Sequence, residues 1–360
     1  MGFWHNSAVV ENGHMYFLTE IEGDFVDIDL SSGVADYLIP DNIMEIPNLS
    51  CGSVMCLIDN TLFGIAEAGR YAFAYDLSNN CCDVKEINRE SNMLQAQAQF
   101  HILEDSFIIV PFFSEDIIRV FFDDLHAESI TIPDSCDDYD SAFGRNAFSN
   151  HTVSDNKISF YSRENACLYT FDFSTNTFVK DDCVSCCEQC KMIFEENGVR
   201  YMLSDSNIVY KFDQGKSEQI CSIENGRHYY VFHKFGDKLF FFPAEYESDI
   251  MIYDMKTNEW RTYDIFPDAF RYDNPFSDTW GKYGKPCCYL NETYFAMHCG
   301  NHLFKVDESG NAFFVPVKWP SKARCMSKRL INSDLLFENN EMKLDGLIEY
   351  VCEQGKVDNE

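Results

Sequence analysis

Four cysteines crowded into eight residues, Cys183-x-x-Cys186-Cys187-x-x-Cys190, are the densest set of chemically competent side chains in the chain. Two CxxC pairs offer four thiolates, the soft donors that zinc and iron–sulfur clusters take. Closed zinc sites usually draw their pairs from separated hairpins, and eight consecutive residues leave little room for a tetrahedron. Redox or disulfide chemistry is a second use of such pairs, and inert thiols are a third. Inert thiols fit the composition best, because the chain has 16 cysteines, including the neighbours Cys81-Cys82 and Cys287-Cys288. No metal is therefore expected. His5, His101, His151, His228 and His233 fall on or just before predicted inner strands, at different offsets, which suits wall residues better than a metal ring. His101 and His151 come nearest to forming a pair. No Ser–His–Asp set, phosphate loop, HExxH or paired-carboxylate motif stands out among the 59 acids, and no cofactor is expected.

The basic residues carry more information. Arg145, Lys191, Arg227, Lys282 and Lys285, five of 28 basic residues, fall with Tyr230 at corresponding places in successive segments of the chain. Cations gathered against a prevailing negative charge are costly unless something anionic uses them. Arginine adds a two-pronged grip on carboxylate or phosphate. The competing reading is a set of weak rim salt bridges to Asp137, Asp138, Asp140 or Glu188. A second candidate surface is the longest connection, where Phe266, Phe270, Arg271, Tyr272, Phe276, Trp280 and Tyr283 would suit a sugar, a ring or a peptide. It could equally be a self-packed loop. The acidic stretch from Pro133 to Phe148 lacks the ligand spacing and glycine of a calcium loop.

Those positions correspond because the chain repeats itself. Seven times an apolar run ends in a short polar turn, a second apolar run follows, and a third closes on Asp. The turns read Asn12-Gly13, Asp59-Asn60, Glu104-Asp105, Asp155-Asn156, Asn197-Gly198, Gly236-Asp237 and Asn291-Glu292. The closing acids are Asp29, Asp76, Asp123, Asp172, Asp213, Asp254 and Asp307, at gaps of 47, 47, 49, 41, 41 and 53. A strand-built period of that size predicts an all-β, seven-bladed β-propeller of four-stranded blades. Asn-Gly is a strong hairpin signal, and each Asp opens the next turn by bonding its own backbone. The blades are placed at about 3–40, 50–90, 95–133, 146–184, 188–224, 227–266 and 282–320 within a propeller of residues 1–320. Residues 321–360 form an extension, and Leu344, Leu347, Ile348 and Val351 predict a helix near 342–353 as a short C-terminal helical tail.

In the order of its strands, and in the Asp-x-x-(Thr/Ser)-x-x-aromatic turn of Asp254, Thr257 and Trp260, the chain resembles the kelch-type β-propellers over about residues 3–320. It lacks their paired glycines after the second strand. The resemblance implies a binding platform more often than an enzyme.

Charge and composition narrow the partners. A net charge of −31 repels phosphate backbones and anionic lipid, so no nucleic acid and no membrane are expected. The amino-terminal residues Met1–Asn6 have no basic region or apolar run, and a cytoplasmic, monomeric protein with free thiols is the default. Two functions remain. One is a non-catalytic interaction module holding a protein segment or a small anionic or carbohydrate ligand, through Arg145, Lys191, Arg227, Tyr230, Lys282, Lys285, Arg271 and Trp280. The other is an enzyme acting on a sugar or sugar acid at the channel mouth, with a histidine or Tyr230 moving a proton.

Overall fold

The structure is a computed structural model that describes residues 8–19, 23–47, 49, 54–66, 69–87, 99–110, 116–132, 148–154, 156–162, 167–181, 190–196, 198–213, 216–227, 229–243, 249–263, 266–268, 283–297, 300–319, 337–338 and 341–342. It is an all-β, seven-bladed propeller. Seven antiparallel sheets each contain four strands in unbroken chain order, so every blade is one continuous piece of chain. The innermost strands are Ala8–Glu11, Val54–Ile58, Gln99–Ile102, Phe148–Ser154, Cys190–Glu196, Tyr229–Phe235 and Tyr283–Tyr289. Helix among the described residues is limited to the 3-10 turn Ile43–Glu45 and the single 3-10 residue Gly69. None is long and apolar enough to cross a membrane. The helix expected near 342–353 lies outside the described residues, apart from Met342, which pairs with Phe337 in a two-stranded hairpin.

Burial explains the strand chemistry. Middle strands are covered on both faces by neighbouring blades, so Lys238–Pro243 is buried at every position after the first. Outer strands form edges and stay mostly polar, as in Glu259–Tyr263. Aromatic rings fill the wedges between blades: Phe25 meets Phe73 at 5.3 Å, Phe63 meets Phe122 at 4.7 Å, and Phe242 meets Phe295 at 4.3 Å.

Turn chemistry sets the register. Asn12 and Gly13 have φ of 51° and 83°, and Asp59 and Asn60 have 46° and 64°, the mirror-image turn that matches strand twist. The seventh inner turn departs from the sequence reading. Tyr289 pairs with Glu292, so the turn is Leu290-Asn291. In the turns before the outer strands, Asp29 Oδ1 accepts the Ser31 amide at 2.8 Å, and Asp76 Oδ1 accepts that of Ser78 at 2.8 Å. The left-handed residues there are Gly33, Asn80, Asn176 and Asn258, each four residues after its Asp; in blade seven Asn311 stands at that offset from Asp307, but the role falls to Gly310. Blade three uses Leu125 at φ 56° instead.

Among the described residues the ring closes without a shared strand. Lys318 donates its amide to Gly33 O at 2.7 Å and its carbonyl accepts from Ala35 at 3.0 Å, a parallel bridge between the exit of blade seven and the outer edge of blade one. Trp319 Nε1 donates to Gly300 O at 3.2 Å while its ring sits edge-on to Phe17. The exit of blade one meets blade two at the equivalent place, with Asp41 N on Asn80 O at 2.7 Å and the Asn42 amide bonding both Cys82 N and O. On the inside, the Cys287 thiol points to Ala8 O at 3.0 Å.

Candidate binding site at the strand-start end of the channel

Inner strands of a propeller line its channel, and their pairing is uneven around this ring. In blades one to three the described inner strands pair without interruption. In blades four to seven each carries one extra residue near its start. Phe148 pairs with Ser162 and His151 with Phe160, so Ser149 and Asn150 are set against Tyr161 alone. Cys190 pairs with Ser204 and Met192 with Leu203, leaving Lys191 over. Tyr229 pairs with Pro243 and Val231 with Phe242, leaving Tyr230 over. Tyr283 pairs with Met297 and Pro286 with Phe295, so Gly284 and Lys285 are set against Ala296 alone. A bulge bends its strand and re-aims a side chain, and bulges concentrate at barrel rims and next to functional sites.

Four successive bulges at one level make a crescent, and buried neighbours anchor it. Tyr229 and Tyr283 are fully buried beside Tyr230 and Lys285. The Tyr229 hydroxyl accepts Asn225 Nδ2 at 2.7 Å, and the Tyr283 ring lies 5.2 Å from Phe242. Met192 is buried next to Lys191, and its sulfur accepts the Phe232 amide at 3.1 Å from the neighbouring blade. Just before the bulge of blade six, Arg227 is exposed while its backbone is fixed: its carbonyl accepts Asn207 Nδ2 at 2.6 Å and its amide donates to Asn225 Oδ1 at 3.2 Å.

Lys191, Tyr230 and Lys285 thus sit in the backbone of three bulges, with Arg227 beside one of them. Arg145, Arg271, Trp280 and Lys282 lie outside the described residues, as does the Cys183–Cys190 cluster except the backbone of Cys190. The turn register of blade seven also changes one correspondence: the residue seven places before the second turn residue is Gly284, not Lys285, and both belong to the same bulge.

The titratable groups at other places are mostly braces. His101, on the inner strand of blade three, stacks on Phe173 at 6.3 Å, and burial lowers its pKa. His14, on a second strand, reaches Asp27 at 2.8 Å, where burial raises the carboxyl pKa. Asp123, Asp124 and His126 bring ligand atoms within 4.8 Å of one another, but they sit at an outer turn where Asp124 already accepts from His126. Buried Cys56 and Cys221 have thiols pushed up to about 12 by desolvation, which makes them poor nucleophiles.

No family model matches the chain, and no curated protein is similar to it in sequence. Its fold is similar to those of several solved propellers. Virginiamycin B lyase from Staphylococcus aureus is 13% identical with a TM-score of 0.57, over 83% of this chain and 95% of that one. YCF48, solved bound to D1 peptide, is 9% identical with a TM-score of 0.56, over 88% and 94%. PorZ of Porphyromonas gingivalis, a surface component of the type-IX secretion system, is 10% identical with a TM-score of 0.57, and the match covers 88% of this chain and 38% of PorZ. At such identities the likeness establishes the propeller fold and nothing finer. Enzyme and peptide-bound protein alike occur among these neighbours.

Proposed function

We propose that the chain is a non-catalytic binding module that holds an acidic protein segment, or a small anionic or carbohydrate ligand, at the strand-start end of its channel. The bulged crescent of blades four to seven carries this reading, because it sets Lys191, Tyr230 and Lys285 in irregular backbone, with exposed Arg227 next to the bulge of blade six. Positive side chains in a chain of net charge −31 suit an anionic group that pairs with them and fixes orientation. The kelch-type turn and a cytoplasmic setting belong to the same reading. YCF48 with its bound D1 peptide is a precedent for a peptide on a propeller of this shape.

Melting of the protein against acidic peptides, uronic acids and uncharged sugars tests it. The expected result is a rise in Tm with an acidic ligand that Lys191→Gln/Lys285→Gln abolishes. Equal shifts in wild type and variant would overturn the site, and turnover of a uronic acid would replace the module by an enzyme.

A further inference from the structure

The opposite face of the propeller holds a cleft independent of the crescent. Between the inner turns of blades six and seven lies a cavity of about 300 Å³, lined by His233, Lys234, Leu290, Asn291, Glu292 and Glu308 among others. It sits at the ends of the inner strands Tyr229–Phe235 and Tyr283–Tyr289, so the length of the blade separates it from Tyr230 and Lys285. The cations near it are committed: Lys234 pairs with Glu196, and Lys305 bonds Glu292 at 2.7 Å. Lys238 donates to Ser309 O at 3.0 Å. Glu308 is exposed and has no cation partner among the described residues. The His233 ring is packed between Phe194 and Phe235 with no hydrogen-bond partner for its nitrogens among the described residues. Burial holds it neutral, with its pKa lowered to about 4, so one ring nitrogen is an acceptor.

Leu290 is the second, unrelated observation. The other six inner turns begin with Asn12, Asp59, Glu104, Asp155, Asn197 and Gly236, polar residues or glycine. Blade seven places a leucine there, at φ 52° and 83% exposed. A bulky residue in left-handed backbone is strained, and its exposure gains nothing for the fold. An apolar contact at the cavity mouth gives it a purpose.

We propose that this cleft is a docking site for a peptide segment presenting a lysine or arginine side chain. The cation enters between Glu308 and the neutral His233, and Leu290 packs on the peptide backbone at the mouth. An unpaired carboxylate at Glu308 and an imidazole acceptor at His233, in a strongly acidic protein, favour a cation over an acid. A peptide covers Leu290, which a free amine would leave exposed.

Ligand-observed NMR with three blocked tripeptides, acetyl-Gly-X-Gly-amide with X as arginine, norleucine or glutamate, tests it on the full chain. The arginine peptide binds more tightly than either other, and Glu308→Gln weakens it about tenfold. Leu290→Gly also weakens binding while raising Tm, an opposite pair of effects that a purely structural leucine would not give. Binding of norleucine or glutamate peptides as tight as arginine, undiminished binding to Glu308→Gln, or free spermidine matching the peptide would each overturn it. These outcomes leave the crescent untouched, since Lys191→Gln/Lys285→Gln is predicted not to change arginine-peptide binding.

Discussion

Gly33 shows how much one residue can carry here. Its φ of 68° is open to glycine and strained for other residues, and an added Cβ would stand 2.3 Å from Pro316 O, inside the ring-closing contact. Gly33→Ala therefore destabilises the protein by at least about 2 kcal/mol, visible as a lower urea midpoint. Gly198→Ala meets nothing within 4 Å and loses only the left-handed conformational term. The ionisable residues make a pH prediction of definite sign. The pKa of His233 is lowered by burial to about 4 in the fold, so between about pH 6.5 and 4 the unfolded chain binds more protons and stability falls with pH. The loss is complete below the folded value and amounts to roughly 1–3 kcal/mol. Urea midpoints across that window should slope in wild type and slope less in His233→Phe. Asp29 adds a separate effect at lower pH: hydrogen bonds from Ser31 and Ser32 hold its pKa at about 2, so its contribution is lost as pH falls from 4 towards 2.

Individual strands differ in how they answer to a deleted residue. Tyr230 is the unpaired residue of a bulge, so its deletion restores regular pairing between the inner and second strands of blade six. Phe232 is fully buried in the regular ladder, and deleting it moves every earlier side chain of the strand to the other face. Circular dichroism melts should show the Tyr230 deletion folding cooperatively near the wild-type Tm and the Phe232 deletion losing that transition. This contrast also marks what the sequence could reveal. Hairpins such as Asn12-Gly13 and the bonding of Asp29 and Asp254 were legible, because turn chemistry is local and written in a few residue types. Leu290-Asn291 was misplaced by one residue, since a leucine in left-handed backbone contradicts local preference and Asn291-Glu292 looks like the turn. The bulges have no composition of their own. They surfaced only indirectly, as the shared offset of Lys191 and Tyr230 from their turns.

At the scale of the whole ring, closure was illegible from sequence for a simple reason: Lys318 bonds Gly33 and Ala35 across nearly the full length of the chain. The same exit-to-edge contact joins blade one to blade two, so among the described residues the final joint repeats an ordinary one. A joint of this kind is held by Val317, Lys318 and Trp319 rather than by a whole ladder. Trp319→Ala, which removes the ring beside Phe17 and the bond to Gly300 O, should cost about 1–3 kcal/mol and expose the seam to hydrogen exchange at Met15 and Phe17 first. The two proposed sites lie on opposite faces of the ring, the bulged crescent on one and the cleft beside His233 and Glu308 on the other.

The central claim is that ligands meet this propeller at the bulged starts of its inner strands in blades four to seven. Amide hydrogen exchange with and without a saturating acidic peptide tests it directly. Slowed exchange confined to residues 148–151, 190–192, 227–231 and 283–286 is the expected result. Protection at the inner strands of blades one to three, or along the outer strands, with none in those four segments, would contradict it.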